Sequence, residues 1–360
     1  MEVLELEKYG SPGTAFARKT RPDPEPGPGQ VRIAVEASGI NFADVLARRG
    51  AYPEAPKPPC VLGYEVVGRI DAVGPGVPGD RGSAGLVPGR RVVAFTRFGG
   101  YASRALAACA GVVPIPEDLD AGSAAALATQ GVTAYFVAHE MVRIAPGALV
   151  LVQAAAGGVG NLLVQLARAQ GAVVAGTAGS ESKLELLRRL GVTYAINYRE
   201  HDFASELLRL SGGRRPDVIF DSIGGAVARK GFSLLATGGR IVCFGVADLA
   251  GGGWPLPRAV RAFLGFGWVH PLRLMLSSKG IVGVNLLRIA DERPEIIRRD
   301  LEAMVTLTTS GALTPVVDRA FPASAVAEAH EYVESRHSMG KVVLRWQDHA
   351  RPWTESSGAP

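Results

Sequence analysis

The pattern of apolar and polar positions changes along the chain at about residue 126. Before that point, short apolar runs such as Val31–Val35, Val66–Val73 and Arg91–Phe95 alternate with clusters of Gly and Pro. Runs of this length between turn residues predict β-strands. From Leu149 onward, short apolar runs alternate instead with segments of helical period. That alternation predicts a parallel sheet with helices on both faces.

The second pattern predicts six strands, which are Val150–Gln153, Val173–Thr177, Tyr194–Asn197, Val218–Asp221, Arg240–Phe244 and Gly280–Val284. The helices predicted around them include Ser182–Leu190, Ala204–Leu210 and, further on, Pro294–Ser310. We therefore expect an α/β protein with a β-rich unit over residues 1–126 and a doubly wound parallel sheet over 127–287. A helix and short strands follow over 288–346, and residues 347–360 are predicted to be a flexible tail. The Gly/Pro/Ser-rich residues 75–89 are predicted to form a flexible loop.

The most specific motif is the glycine-rich turn after the strand Val150–Gln153. It reads Ala154-Ala155-Ala156-Gly157-Gly158-Val159-Gly160, and a segment of helical spacing, Asn161–Gln170, follows it. Such a turn leaves free backbone N–H groups at a helix N-terminus, which bind a pyrophosphate. Ala155 stands where the usual motif has its first glycine. We predict a dinucleotide site formed by Ala155, Gly157, Gly158, Val159 and Gly160.

Composition narrows the classes of function and of cellular location that remain open. The chain has 360 residues, 47% of them hydrophobic and 20% charged, with a net charge of +5. The basic residues are scattered, which favours a small anionic ligand over a nucleic-acid groove. Three remote cysteines argue against a disulfide framework and for a reducing compartment. No apolar run is long enough for a membrane span, and the acidic N-terminus is unlike a signal peptide, so we expect a cytoplasmic protein.

With these motifs in place, the chain resembles the medium-chain dehydrogenase/reductase superfamily over essentially its whole length. Within it, the chain is similar to zeta-crystallin-type quinone oxidoreductases and their vesicle amine transport protein-like group. The segments that carry the resemblance are Gly39–Asp44, Arg49–Pro53, Leu62–Gly68, Ala154–Gly160, Ile196–Tyr198, Phe244-Gly245 and Gly340–Leu344. The resemblance implies a GroES-like catalytic domain, made of residues 1–126 and 288–346, around a Rossmann domain over 127–287.

The zinc-dependent branches of this superfamily hold catalytic metal with a cysteine and a histidine, and here those positions are Asn41 and Tyr64. The cysteine-rich loop for structural zinc is also missing. Three cysteines and six histidines, all scattered, do not supply a recognisable ligand set. We therefore expect a metal-free enzyme. Without a Lewis acid, hydride addition to an already activated C=C bond or to a quinone is easier than reduction of a simple aldehyde.

The resemblance also implies roles for single residues. Asn41 would contact the nicotinamide ribose or the substrate carbonyl, although a helix N-cap is the alternative. Tyr52 and Tyr64 complete the candidate catalytic set, with packing roles as alternatives. The further candidates for cofactor contacts are Thr133, Phe244, Gly245, Val246, Asn285 and Lys341; for Lys341 a solvated strand lysine is the alternative.

The choice of cofactor follows from the end of the second strand of the predicted Rossmann sheet. Sites specific for NAD place an acidic residue there, about 20 residues past the glycines. Here the stretch Thr177–Ser180 has no acid, and Glu181 lies beyond it. Ser180, Lys183 and Tyr198 are candidate donors to a 2′-phosphate. We predict a preference for NADPH.

The leading hypothesis is an NADPH-dependent reductase of quinones or α,β-unsaturated carbonyl compounds. An enoyl-thioester reductase is a variant of the same chemistry. The alternative from another class is a nucleotide-binding protein that acts mainly in lipid or membrane-partner binding. It rests on residues 247–279, where Trp, Phe and Leu alternate with Arg, as in a substrate lid or an interfacial element. We also expect a homodimer, because the last strand of the sheet would otherwise leave an open edge.

Overall fold

The computed structural model describes residues 1–77, 85–247 and 270–346. The chain forms two compact units, Met1–Val132 with Leu287–Pro360, and Thr133–Leu286. Residues 78–84 of the predicted loop at 75–89, residues 248–269 of the segment 247–279 and the predicted tail at 347–360 lie outside the described residues.

Sixteen strands are present in the described part of the chain. In chain order they are β1 Glu2–Leu6, β2 Phe16–Thr20, β3 Gln30–Ile40, β4 Cys60–Val61, β5 Glu65–Val73, β6 Arg91–Phe95, β7 Arg104–Ala108, β8 Val112–Pro114, β9 Leu149–Val152, β10 Val173–Ala178, β11 Tyr194–Asn197, β12 Val218–Asp221, β13 Arg240–Cys243, β14 Gly280–Gly283, β15 Val317–Pro322 and β16 Lys341–Arg345.

The α-helices of the described part range from single turns to the 16 residues of Pro294–Thr309. They are Pro12–Ala15, Phe42–Arg48, Ala121–Ala126, Val132–Tyr135, Gly158–Ala169, Glu181–Arg189, Phe203–Leu210, Gly225–Leu234, Pro271–Ser277, Leu286–Glu292, Pro294–Thr309 and Val326–Glu334. Leu127–Gly131 and Phe136–Glu140 form wider, π-helical turns. Turns of this kind are frequent at functional sites.

The first unit is built on a mixed sheet in the order β15-β16-β3-β5-β6-β8, with β7 also pairing with β3. A smaller sheet has the order β2-β1-β4. Alternate residues of β3 are buried, among them Val31, Ile33 and Val35, as the period of a half-buried strand requires. β3 pairs with β16 on one side, Ile40 opposite Val342, and with β5 on the other. This register brings the end of β3 next to the starts of β5 and β16.

The second unit is a six-stranded parallel sheet in the order β11-β10-β9-β12-β13-β14. In the unit's own numbering this order is 3-2-1-4-5-6, the order of a dinucleotide-binding Rossmann sheet. Each of the six predicted strands is present, with ends within one residue of the prediction. The predicted fold class, a β-rich GroES-like part and a doubly wound parallel sheet, is confirmed.

None of the helices in the described segments is both long enough and apolar enough to cross a bilayer.

Candidate active site and cofactor site

Asn41 stands at the junction of β3 and the helix Phe42–Arg48, where it is the N-cap residue. The Asp44 carboxyl accepts the backbone N–H of Asn41 at 2.9 Å and that of Gly63 at 3.1 Å. These bonds satisfy one orphan donor at the helix end and fix the position of Asn41. Asn41 therefore holds the N-cap position that was the alternative to a ligand contact. Its carboxamide also makes a second set of bonds.

Those bonds join Asn41 to a group that we call the polar cluster, which consists of Asn41, Glu65, Thr129, Gln130 and Lys341. The Asn41 amide nitrogen donates to both Glu65 carboxylate oxygens at 2.8 Å. Its oxygen accepts from Lys341 Nζ at 3.0 Å and from Gln130 Nε2 at 3.1 Å. Lys341 Nζ also forms an ion pair with Glu65, and the Thr129 hydroxyl donates to the same carboxylate.

The side chains of the polar cluster lie almost entirely out of water. Lys341 and Glu65 are 0% exposed, and Asn41 is 6% exposed. The alternative interpretation of Lys341 as a solvated strand lysine is therefore wrong, because β16 begins beside Asn41 and turns the ammonium inward. A buried ion pair persists only where further hydrogen bonds satisfy both ions, and the cluster supplies them.

Gly39 makes room for this arrangement. A Cβ atom at Gly39 would lie 1.9 Å from Glu65 Oε1 and 2.5 Å from Lys341 Cε. Any side chain there would push the two ions apart. The glycine that opens the motif Gly39-Ile40-Asn41 is thus required by volume.

The carboxyl groups of Glu65 and Asp44 lie in this region with one ammonium, that of Lys341. The pKa of Asp44 reflects this surplus of carboxyl groups. Burial, followed by the charge of Glu65, raises the pKa of Asp44 to about 8. Asp44 is therefore mostly protonated at neutral pH, and Lys341 is left to balance Glu65.

The two tyrosines predicted to be catalytic form an aromatic pair. The ring centroids of Tyr52 and Tyr64 lie 6.3 Å apart in an edge-to-face arrangement. Burial raises the pKa of Tyr52 to about 12 and that of Tyr64 further, so both phenols stay neutral. Tyr64 is 1% exposed, and its hydroxyl has no hydrogen-bond partner among the residues that the structure describes. Buried tyrosine hydroxyls usually have a partner, so this oxygen is available to a ligand or a water.

In the second unit, the glycine-rich turn joins β9 to the helix Gly158–Ala169, as predicted. The N–H groups of Gly158, Val159 and Gly160 occupy the first turn of the helix and have no carbonyl within it to bind. A Cβ atom at Gly160 would lie 2.3 Å from the Ala154 carbonyl oxygen. This glycine therefore lets the helix begin close to the strand. The free N–H groups and the close approach fit a bound pyrophosphate.

Gly176 explains the alanine that replaces the first glycine of the motif. Gly176 lies on the neighbouring strand β10, and a Cβ atom there would stand 2.9 Å from the Ala155 methyl carbon. Ala155 is fully buried. In the usual motif the first glycine leaves room in the turn itself. Here the room for the Ala155 methyl group comes from Gly176 on the neighbouring strand.

The end of β10 carries the candidate donors to a 2′-phosphate. Ser180 caps the helix Glu181–Arg189, and Lys183 lies in its first turn. A Cβ atom at Gly179 would be 2.7 Å from the Tyr198 hydroxyl and 3.2 Å from Arg199 Nε. Arg199 was missed by sequence reasoning, although its position directly after Tyr198 would have indicated it. The Glu181 carboxylate is paired with Arg188 at 2.6 Å.

The remaining predicted cofactor contacts lie on the second unit. Phe244, Gly245 and Val246 directly follow β13, and Asn285 follows β14 by two residues. Both positions are at the carboxyl edge of the sheet, where ligands bind in open α/β sheets. Thr133 is 8% exposed and lies in the helix Val132–Tyr135.

Residues 1–77, 85–247 and 270–346 contain no group of three or more His, Cys, Asp or Glu side chains that could hold a metal ion. The polar cluster has one carboxylate, two neutral carboxamides, a hydroxyl and an ammonium.

Comparison with known proteins places the chain in a family. Residues 27–139 match the alcohol dehydrogenase GroES-like domain, and residues 190–344 match the zinc-binding dehydrogenase family. The chain belongs to the medium-chain dehydrogenase/reductase superfamily and is an oxidoreductase of that superfamily, which confirms the resemblance carried by its motifs.

Particular relatives give the match more detail. The chain is 35% identical to the mouse (Mus musculus) synaptic vesicle membrane protein VAT-1 homolog over 326 residues, 89% of this chain and 77% of that protein. It is 32% identical to a 2-haloacrylate reductase of Burkholderia sp over 329 residues, 89% of this chain and 91% of that protein. The structure of Escherichia coli quinone oxidoreductase complexed with NADPH is similar with a TM-score of 0.83 and 27% identity, covering 96% of this chain and 100% of that one.

Asp44 makes the stability of the protein depend on pH. Its pKa is about 8 in the folded state against about 3.9 in an unfolded chain, so between these values only the folded state holds the proton. Stability must then fall as pH rises through this window, by up to about 1.4 kcal/mol per pH unit. His330, whose pKa burial lowers to about 3, acts in the opposite sense but only below its ordinary value of 6.5.

We therefore expect the free energy of unfolding of wild type to fall by about 2 kcal/mol between pH 6.5 and 8 through this group. In urea titrations, Asp44→Asn should be less stable overall but should lose this slope. Asp291→Asn, at an exposed carboxylate paired with Arg97, is the matched control and should keep it. Equal slopes for wild type and Asp44→Asn would contradict the assignment.

Proposed function

We propose that the protein is a zinc-independent, NADPH-dependent reductase of quinones or α,β-unsaturated carbonyl compounds. The observation that carries this proposal is the polar cluster. Asn41, at one of the two positions where related enzymes hold metal, is bonded to the Lys341 ammonium and the Glu65 carboxylate. The cluster thus contains its own cation, which would repel a divalent ion, and it has no Cys or His side chain to bind zinc.

The lack of a place for a Lewis acid limits the substrates. A simple aldehyde needs strong polarisation before it accepts hydride, whereas in an enone or a quinone the conjugated oxygen takes up the charge as the carbon is reduced. The names of similar proteins, a quinone oxidoreductase and a 2-haloacrylate reductase, support acceptors of this type.

The second unit fits the cofactor. NADPH, when bound, supplies the hydride. The N–H groups of the turn Gly158–Gly160 would bind the pyrophosphate. Ser180, Lys183, Tyr198 and Arg199 would surround the 2′-phosphate. Glu181, the one acid at this position, is engaged by Arg188.

The side chains of the first unit would position the acceptor. Asn41 would donate a hydrogen bond to the oxygen that becomes negative, and Tyr52 and Tyr64, both neutral phenols, would line the pocket as further donors. Donors placed where charge develops lower the barrier because they need no reorganisation during the reaction. Oxidation of NADPH should therefore be measured across quinones, enones, enoyl thioesters and simple aldehydes. Turnover of quinones or enones but not of simple aldehydes is expected, and the reverse would refute the proposal.

A second candidate function has its own observation. Leu272, Met275 and Leu276, on the helix Pro271–Ser277, are 55%, 74% and 80% exposed. Exposed apolar side chains of this kind are typical of contact with a partner or a lipid surface. The name of the VAT-1 homolog, a synaptic vesicle membrane protein, is in keeping with it. Flotation with anionic vesicles tests this function. Wild type should float with the vesicles, and the double variant Met275→Ser/Leu276→Ser should not.

We expect the chain to prefer NADPH over NADH. A charge-assisted hydrogen bond contributes about 1.5–3 kcal/mol, so Lys183→Ala or Arg199→Ala should weaken NADPH binding by roughly 10- to 150-fold. Binding of NADH should change little, because it lacks the phosphate. Lys230→Ala, which removes an exposed lysine paired with Asp202, is the control. Equal losses for both cofactors would show that the phosphate site lies elsewhere.

We expect activity without zinc. Elemental analysis of the purified protein should show far less than one zinc per chain, and a chelator should leave the oxidation of NADPH unchanged. Stoichiometric zinc, or loss of activity that added zinc restores, would contradict the proposal.

We also propose a homodimer formed through β14. This strand is at the end of the second unit's sheet and pairs with β13, and Ile281 on it is 37% exposed. No strand among the described residues pairs with the other edge of β14, and an edge of this kind is usually covered. By light scattering, wild type should have twice the monomer mass and Ile281→Lys should be monomeric. Tyr9→Lys, at a residue that is 47% exposed on the first unit, should leave the mass unchanged. A monomeric wild type at micromolar concentration would exclude the dimer.

A further inference from the structure

The carboxamide of Asn41 has one permitted orientation. Lys341 is an ammonium and can only donate, whereas the Glu65 carboxylate, in its ion pair, accepts. Lys341 Nζ stands 3.0 Å from Asn41 Oδ1, and the Glu65 oxygens stand 2.8 Å from Asn41 Nδ2. Turning the amide over would place its NH₂ group against the ammonium and its oxygen against the carboxylate. The ion pair therefore decides which way Asn41 points.

The hydrogen atoms of that amide can be accounted for. The two N–H bonds of a planar amide point in different directions, whereas the two oxygens of one carboxylate lie side by side. One hydrogen is therefore shared between Glu65 Oε1 and Oε2 as a three-centre bond. The second hydrogen is directed away from Glu65, and no other acceptor for it occurs within the parts of the chain that the structure describes. The oxygen, in contrast, already accepts from Lys341 and Gln130.

We propose that Lys341 and Glu65 are positioning residues that make Asn41 a one-way hydrogen-bond donor, with a single N–H left for an acceptor oxygen of the ligand. This proposal rests on the proposed function. It differs from a direct contact of Lys341 with the cofactor, because the ammonium acts through Asn41. Asn41, with its acceptor used, cannot take a proton from an alcohol, but it can stabilise an oxygen that gains charge during reduction.

The coupling between Lys341 and Asn41 is the property to measure. Removal of Lys341 alone would leave a buried carboxylate without its ion pair, which is strongly destabilising. The test therefore uses the charge-neutral double variant Lys341→Met/Glu65→Gln, in which residue 65 no longer dictates the orientation of Asn41. Asn41→Ala and the triple variant complete the cycle. Lys279→Met, at a lysine that donates to the backbone carbonyls of Phe232 and Ser233, is the control.

The double variant and Asn41→Ala should each lower kcat/KM for a quinone or enone by roughly 10- to 150-fold, the effect of one hydrogen bond to a charged oxygen. The triple variant should lose no more than Asn41→Ala, because the residues act as a unit. Losses that multiply would overturn the proposal, as would a folded double variant with full activity. The dissociation constant of NADPH, measured by fluorescence for each variant, shows which ligand oxygen Asn41 contacts. The constant equals that of wild type if Asn41 contacts the substrate oxygen, and it is higher than that of wild type if Asn41 contacts the nicotinamide ribose.

A measurement on wild type keeps the proposal testable if a variant does not fold. In ¹⁵N-labelled protein, one of the two Asn41 side-chain protons should shift when the ligand is added, and the other, held by Glu65, should stay. Equal shifts for both, or none for either, would overturn the proposal. Failure of the proposed function gives a different result. In that case wild type would not oxidise NADPH when any quinone or enone is supplied.

Discussion

The buried ion pair between Lys341 and Glu65 is the constraint on which the first unit depends. Removing an ammonium and a carboxylate from water costs several kcal/mol per ion, and only close contact and added hydrogen bonds offset it. Both ions are at strand starts, on either side of β3. A slip of one residue in either pairing would turn one ion to the opposite face of the sheet. The register of three strands and the geometry of the site are therefore set together.

The same ion pair governs the charge of its surroundings. Lys341 balances one carboxylate, and Asp44, the second, is kept mostly protonated at neutral pH because burial and Glu65 raise its pKa. The region is thus close to neutral although Lys341, Glu65 and Asp44 are all ionisable. A neutral region with oriented donors suits an oxygen that becomes negative during a reaction, because a fixed negative charge nearby would oppose it.

Sequence reasoning succeeded where the signal is local and fell short where it is not. The strands of the second unit and the turn Gly157–Gly160 follow from apolar runs and glycines that are close together in the chain. Lys341 and Glu65, in contrast, are separated by 276 positions, and a lysine at the start of a strand is equally consistent with solvent. Glu65 was part of a recognised motif but received no role, because its partner could not be known. Gln130 carries no signal of its own in the sequence, and it faces Asn41 from the wide helical turn at Leu127–Gly131.

The glycine-rich turn shows why motif letters and physical requirements differ. The usual first glycine is Ala155, yet the turn, the helix start and the six-stranded order are those of a dinucleotide-binding sheet. The methyl group of Ala155 is accommodated because Gly176, on the adjacent strand, has no side chain. Gly160 has no such substitute, since a side chain there would meet the Ala154 carbonyl of its own turn. A position in the motif can therefore vary where its neighbour is on another strand that can also change, and it stays glycine where the neighbour is backbone.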